Sequence, residues 1–228
     1  MSVACAIHQP NFLPWLGYFY KIRQSDVFVF LDSVPLSTGG ASAITHRTRV
    51  LLGSQPGFLS LPIKKTGAKQ IKEEEILAGN HTEKHLKSLA QHYARAPFKR
   101  QIWPLVETIF HYPSMNLADF NINGIESVCS ALGWEPKLVR SSDLIENTPN
   151  RPQKSELLIE LCKSLGASRY LAGSGGSRQY LDLEAFRRAD IEVVFSPFVH
   201  PVYPQFRNPF VPGLSVLDAL MHVGSFPE

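Results

Sequence analysis

Four short stretches of this sequence concentrate side chains able to hold an anion or move a proton. The first, HQPNFLP, runs from His8 to Pro14 and carries His8, Gln9 and Asn11. Imidazole titrates near neutrality and can act as an acid or base. The residues before Pro10 and Pro14 are restricted to extended backbone, so the loop is stiff. The same residues also suit a capped helix start with a buried, hydrogen-bonded His8. The second stretch, THRTRV (Thr45–Val50), reads as a strand whose alternation sends Arg47 and Arg49 to one side. Two guanidiniums so placed suit a phosphate or carboxylate, and a charged strand edge facing solvent has the same pattern.

The third, YLAGSGGSRQYLD, places Gly173, Ser174, Gly175, Gly176 and Ser177 just after a strand-like run. Amides of such a loop can cradle phosphate, although it matches neither a Walker loop nor G-x-G-x-x-G. Tyr180 and Asp182 add polar contacts there, and Asp182 equally suits a helix N-cap. The fourth, SPFVHPVYPQF, spaces His200, Tyr203 and Gln205 with three prolines and supplies a second acid–base candidate in His200.

The elements that must position these stretches follow from hydrophobic pattern. VACAI (Val3–Ile7), VFVFLD (Val27–Asp32), PKLVRS (Pro136–Ser141), RYLAG (Arg169–Gly173) and IEVVFSPF (Ile191–Phe198) are short, nearly continuous apolar runs. Such runs suit strands buried on both faces. WLGYFYKIRQ, NINGIESVCSALGW, QKSELLIELCKSLGAS and LDLEAFRRADI lie between them with helical spacing. Strand and helix in alternation predict an α/β fold, a doubly wound, mainly parallel five-stranded sheet of Rossmann-like type. The segment 42–118 departs from that rhythm. It predicts a β-hairpin turning at GSQPG, then two helices separated by Pro97, as a cap or insertion within one domain spanning 1–228. A closing helix is expected in SVLDALMHVG, with Leu217, Leu220 and Met221 inward. In an open parallel sheet, ligands bind beyond the C-terminal strand ends, which is where the first, third and fourth stretches begin.

Bulk composition narrows the function classes. With 23 basic and 20 acidic residues the formal charge is only +3, which gives no footprint for nucleic acid. No apolar run is long enough to span a membrane. The N-terminus lacks a secretory pattern, and Cys5, Cys129 and Cys162 sit apart in apolar segments, so a cytoplasmic protein with reduced thiols is expected. His81 and His85 are four apart, but no ligand set completes a metal site, and the sequence names no cofactor. The partner expected is a small molecule, and the oligomeric state is open.

Two resemblances add to this reading. Strand, proline-rich loop, helix with Trp15-Leu16-Gly17-Tyr18, then a strand ending in Asp32 resembles the opening of nucleotidyltransferases of the HIGH superfamily, which makes Tyr18 and Asp32 candidate ligand contacts. Both histidines of the H-x-G-H motif are absent here, which weakens the case for adenylyl transfer. Taken together, IHQPNFLPWLGYFYKIRQSDVFVFLDSV, the Arg-x-Arg of THRTRV, FLSLPI, YLAGSGGSRQYLD, FSPFVHPVYPQF and FVPGLSVLDALMHVG resemble the WbqC-like family, in order from Ile7 to Gly224. That resemblance implies a bacterial or archaeal protein of surface-polysaccharide or O-antigen biosynthesis, with acyl or aminoacyl transfer to an amino sugar as one suggested activity. It implies Gln-Asn-Arg-x-Arg where this chain has Thr45, His46, Arg47, Thr48 and Arg49, so the arginines are kept and the amides are not. The expected function is a group transferase acting on a nucleotide-linked sugar or related phosphorylated metabolite. The alternatives are a nucleotidyltransferase and a non-catalytic binding protein of the same pathway.

Overall fold

A computed structural model describes residues 2–37, 43–53, 55–64, 67, 70–145, 152–173, 175 and 177–227. Ser174 and Gly176 lie outside the described residues, and Ser177 is described only as the first residue of a helix. The chain divides into two units, Met1–Gln9, Tyr20–Ser33 and Pro136–Val199 in one, and Pro10–Phe19, Val34–Glu135 and His200–Glu228 in the other.

The first unit holds the parallel sheet. Its strands are β1 (Ala4–His8), β2 (Val27–Phe30), β5 (Leu138–Arg140), β6 (Arg169–Ala172) and β7 (Glu192–Phe195). They run in the order β5-β2-β1-β6-β7, all parallel, with helices on both sides. VFVF of β2 is buried at every position, as a strand covered on both faces must be. The expected five strands are all present, with shorter ends. β2 stops at Phe30 because the Asp32 N–H turns back to the Phe30 carbonyl at 2.9 Å. Pro136, having no N–H, cannot open β5 as a bonded residue.

Connecting elements of this unit are α5 (Ser141–Leu144), α6 (Lys154–Ser164), α7 (Ser177–Tyr180) and α8 (Leu183–Arg188). Helix α1 (Leu16–Gln24) follows β1. Tyr170 stacks on Phe186 with ring centroids 5.2 Å apart, joining β6 to α8. Leu161 and Cys162 of α6 are buried, as are Cys5 and Cys129, and all three thiols are free.

Among the described residues, the second unit contains a hairpin, a short 3-10 helix at Ile71–Glu73 and four α-helices that lie wholly within it. Strands β3 (Arg47–Leu52) and β4 (Gln55–Ser60) pair antiparallel from Arg47↔Ser60 to Leu52↔Gln55. Helices α2 (His81–His92), α3 (Lys99–Phe110), α4 (Leu117–Ala131) and α9 (Val216–Val223) complete it. Helix α4 begins four residues earlier than its apolar spacing predicts, because the Asn116 side chain accepts from the Asp119 N–H at 3.0 Å and caps it there. At Gly124 a Cβ would lie 3.3 Å from the Ile109 side chain, so glycine lets α3 and α4 approach. Gly224 ends α9 at φ +78°, the left-handed position that glycine takes without strain. Phe12 packs edge-on to Phe110 at 5.9 Å and near Phe120 at 6.2 Å, which seats the proline-rich loop in this unit's core. No helix among the described residues is long and apolar enough to cross a membrane.

Candidate functional site

In the second unit, three segments enclose a hollow of about 440 Å³ lined by Asn11, Trp15, Arg47, Arg49 and Phe58 among others. The proline-rich loop is stitched to the start of β3. The Phe12 N–H donates to the Thr45 carbonyl at 3.1 Å, and the Thr48 hydroxyl donates to the Leu13 carbonyl at 2.7 Å. The segment leading into α9 closes the frame, since the Ser215 N–H donates to the Arg49 carbonyl at 2.7 Å and the Val216 N–H to the Pro14 carbonyl at 2.8 Å. Strand alternation brings both arginines to this hollow. The Arg47 guanidinium lies 4.5 Å from the centroid of Phe58, and Arg49 Nη1 donates to the Pro212 carbonyl at 3.3 Å. Asn11 is buried, and its Oδ1 accepts from the Thr45 hydroxyl at 3.3 Å. The Thr48 hydroxyl is used within the protein, and the two guanidiniums stand at the hollow beside the aromatic rings of Trp15 and Phe58. That arrangement suits an anionic head on an apolar or planar body.

Asn121 of α4 holds this frame from below. Its Nδ2 donates to the Pro10 carbonyl at 2.8 Å and the Thr45 carbonyl at 2.7 Å, and the side chain is buried. Replacing it with alanine strips one bond from each of two carbonyls. Asn121→Ala is therefore expected to cost about 1–3 kcal/mol, a drop of roughly 3–10 °C in Tm for a chain of this size, checked by thermal melting. A melt that coincides with the wild type would remove Asn121 from this role.

Tyr203 and Gln205 converge elsewhere in the same unit, on Asp218 of α9. Asp218 is fully buried and accepts from the Tyr93 hydroxyl at 2.9 Å, the Tyr203 hydroxyl at 3.0 Å and Gln205 Nε2 at 3.0 Å. Gln205 also spans its own loop, accepting from the Val211 N–H at 2.9 Å and donating to its carbonyl at 3.0 Å. Burial and the nearby Asp218 carboxylate push both phenols above the usual tyrosine range. These expected ligand contacts are thus committed to a buried carboxylate. His200 faces the Pro201 carbonyl through Nδ1 at 2.9 Å, and its Nε2 is enclosed by protein. Tyr18 is buried, with burial raising its pKa and its hydroxyl bonded to the Asn11 backbone. It meets Trp15 edge-on at 6.0 Å.

In the first unit the strand order reverses direction at β1 and β6, the switch point where open α/β sheets take ligands. The register Ala6↔Leu171, continued two residues, carries His8 alongside Gly173. His8 Nδ1 lies 3.2 Å from the Gln9 carbonyl, and because a carbonyl only accepts, Nδ1 holds the proton and Nε2 the lone pair. Crowding by the strand ends, and then the Lys21 charge, lower the His8 pKa to about 3 although part of the ring surface stays open. Lys21 is itself buried, donates to the Ile7 carbonyl at 3.2 Å, and is lowered by burial to about 8. Gly173 and Gly175 follow β6, and the Arg178 N–H donates to the Gly175 carbonyl at 3.3 Å. Tyr180 is exposed, and Asp182 caps α8 by accepting from the Ala185 N–H at 3.0 Å.

Asp32, at the end of β2, is also spent within the protein. Its Oδ1 accepts from the Ser141 hydroxyl at 2.9 Å and the Ser142 N–H at 3.0 Å, and its Oδ2 from the Ser142 hydroxyl at 2.8 Å. It fastens the start of α5 to the neighbouring strand. Among the described residues no group of three His, Cys, Asp or Glu could hold a metal ion. His81 and His85 have ring centroids 6.3 Å apart, and His85 Nε2 lies 3.0 Å from the Ser60 carbonyl.

A sequence profile of the WbqC-like protein family matches residues 9–226. The chain belongs to the WbqC-like protein family. An uncharacterized protein of Mycobacterium tuberculosis (strain ATCC 25618 / H37Rv), Rv1507c, is 27% identical over 224 residues, 96% of this chain and 94% of that one. No solved structure matches the chain.

In this WbqC-like protein, the residues that hold the hollow in shape are not those that the sequence offers as ligand contacts. Asn121, Thr45, Thr48 and Ser215 all act through backbone or side-chain bonds to the lining segments. A signal for one of them existed. Asn121 shares a helix face with Ile125 and Val128, and a polar residue in an apolar stripe needs a buried partner. Asp218 breaks the stripe of α9 in the same way.

Proposed function

We propose that this WbqC-like protein is a group transferase acting on a nucleotide-linked sugar or related phosphorylated metabolite, with acyl or aminoacyl transfer as the favoured chemistry. The observation that carries the reading is the hollow to which Arg47 and Arg49 turn together with Asn11. A phosphate oxygen pair suits each planar fork, and binding between aromatic walls strengthens the charge interaction by excluding water. The arginines would orient the phosphorylated group and offset its charge.

In the first unit, His8 is the candidate proton acceptor, because it ends β1 at the switch point of the sheet and is only partly buried, whereas the His200 Nε2 is enclosed by protein. An attacking amine or hydroxyl would form an amide or ester bond as the bond from the acyl carbon to its carrier breaks. The carrier leaves with the electron pair, and His8 would take the proton that the nucleophile loses. Negative charge brought beside His8 would raise its proton affinity. A surface-polysaccharide setting accords with family membership.

Titration calorimetry with pyrophosphate and a panel of nucleotide sugars tests the reading. Arg47→Ala and Arg49→Ala should each weaken the best ligand by about tenfold or more, the loss of a charge-assisted bond. Equal affinity in the wild type and both variants would reject the hollow as the phosphate site.

A further inference from the structure

We infer that the second unit carries another ligand site, on α2, which takes a polyhydroxylated ring with an acidic substituent, an acidic saccharide. A hollow of about 680 Å³ is lined by Ser88, Gln91, His92 and Arg95 of α2 and the turn after it, and by Leu52, Gly53 and Phe206. It shares no lining residue with the hollow of Arg47 and Arg49. Positions 88, 91, 92 and 95 recur at helical spacing, so the end of α2 and the turn after it present one face to the hollow.

The chemistry of that lining selects the ligand. Phe206 keeps 45% of its surface exposed. It is fixed from behind by His222, 4.6 Å away at 69°, and by His92, 5.9 Å away at 77°. A phenyl ring held open in this way offers a flat apolar surface without losing further side-chain freedom on binding. The same lining carries a hydroxyl, a carboxamide and a guanidinium. None of Ser88, Gln91 and Arg95 makes a side-chain hydrogen bond or ion pair among the described residues. Among the described residues of the lining there is no carboxylate, and Arg95 brings positive charge.

Other ligand classes match less of this surface. A purely apolar ligand would bury three polar side chains unpaired, at a cost for each. A bare inorganic anion would engage Arg95 and leave the Phe206 ring facing water. A pyranose has an apolar C–H face for the ring and hydroxyls that both donate and accept, matching Ser88 and Gln91. A carboxylate or phosphate on that ring meets Arg95.

Saturation-transfer NMR and calorimetry on the full chain test the assignment, with methyl glucuronide, glucose 1-phosphate and uncharged methyl glucoside as probes. Saturable binding of at least one acidic probe is expected, tighter than that of methyl glucoside. Gln91→Ala and Arg95→Ala alter exposed side chains and should leave the thermal melt unchanged. Arg95→Ala should weaken the acidic probe by about tenfold while leaving methyl glucoside alone, and Phe206→Ala should weaken both. Preference for the carboxylate or for the phosphate names the source of the acidic group. Arg47→Ala should change none of these values, which separates this site from the proposed phosphate hollow. The inference is overturned if no acidic probe binds saturably, or if the acidic probe binds the Gln91→Ala, Arg95→Ala double variant as tightly as the wild type.

Discussion

Asp218→Ala is expected to unfold this protein at markedly lower urea concentration than the wild type, with a loss of about 4 kcal/mol or more. Three donors, the Tyr93 and Tyr203 hydroxyls and Gln205 Nε2, point at this one fully buried carboxylate. Hydrogen bonds to a charged group contribute about 1.5–3 kcal/mol each, and a buried donor left alone adds a desolvation cost. Removing the shared acceptor orphans all three at once. Asp218→Asn should cost less, because its remaining carbonyl oxygen still accepts while its amide meets donors, and Tyr93→Phe less again, about 1 kcal/mol. The ordering follows from the number of donors abandoned, which a simple volume effect would not reproduce. An Asp218→Ala variant within about 1 kcal/mol of the wild type would mean that water or a shifted side chain replaces the carboxylate, and the hub would lose its meaning. Because Gln205 also braces Val211, hydrogen exchange should speed up around 203–211 before the sheet is affected.

The sheet was legible for a reason that the sites were not. β1, β2 and β6 are short apolar runs whose burial on both faces follows from composition alone. The loops after them were legible as candidates because parallel sheets present their C-terminal ends to ligands. What each loop residue does depends on partners far away in sequence. Asp32 reads as a ligand contact at a strand end, yet Ser141 and Ser142, more than a hundred residues on, consume its oxygens. Tyr203 and Gln205 read as polar groups spaced by prolines, and only the fold shows Asp218 beneath them. Arg47 and Arg49 were legible in their direction, since alternation is local. The hollow they line was not, because its frame is built by the carbonyls of Pro10, Leu13, Thr45 and Arg49, which no residue type reveals.

Between pH 6.5 and 4 the wild-type chain should lose stability that a His8→Gln variant keeps. In the folded protein His8 is held near a pKa of about 3 against a reference of 6.5, by burial first and by the Lys21 charge second. The unfolded chain therefore takes up a proton at His8 as pH falls through 6.5, while the folded chain does not. Proton uptake by the unfolded state favours unfolding, so the contribution is complete above pH 6.5 and drains away toward pH 3. At about 1.4 kcal/mol per unit, the window from 6.5 to 4 corresponds to roughly 3 kcal/mol. Lys21 has the same sign at the alkaline end. Its folded pKa of about 8 lies below the reference of 10.5, so stability rises as pH increases from 8 toward 10.5. Lys21→Met should flatten that rise, and by removing the neighbouring charge it should also let His8 titrate higher, so that the acid loss ends at a higher pH and is smaller. Urea titrations at stepped pH on the wild type and the two variants provide the check. Parallel acid limbs for the wild type and His8→Gln would show that His8 does not titrate under the constraint the geometry imposes.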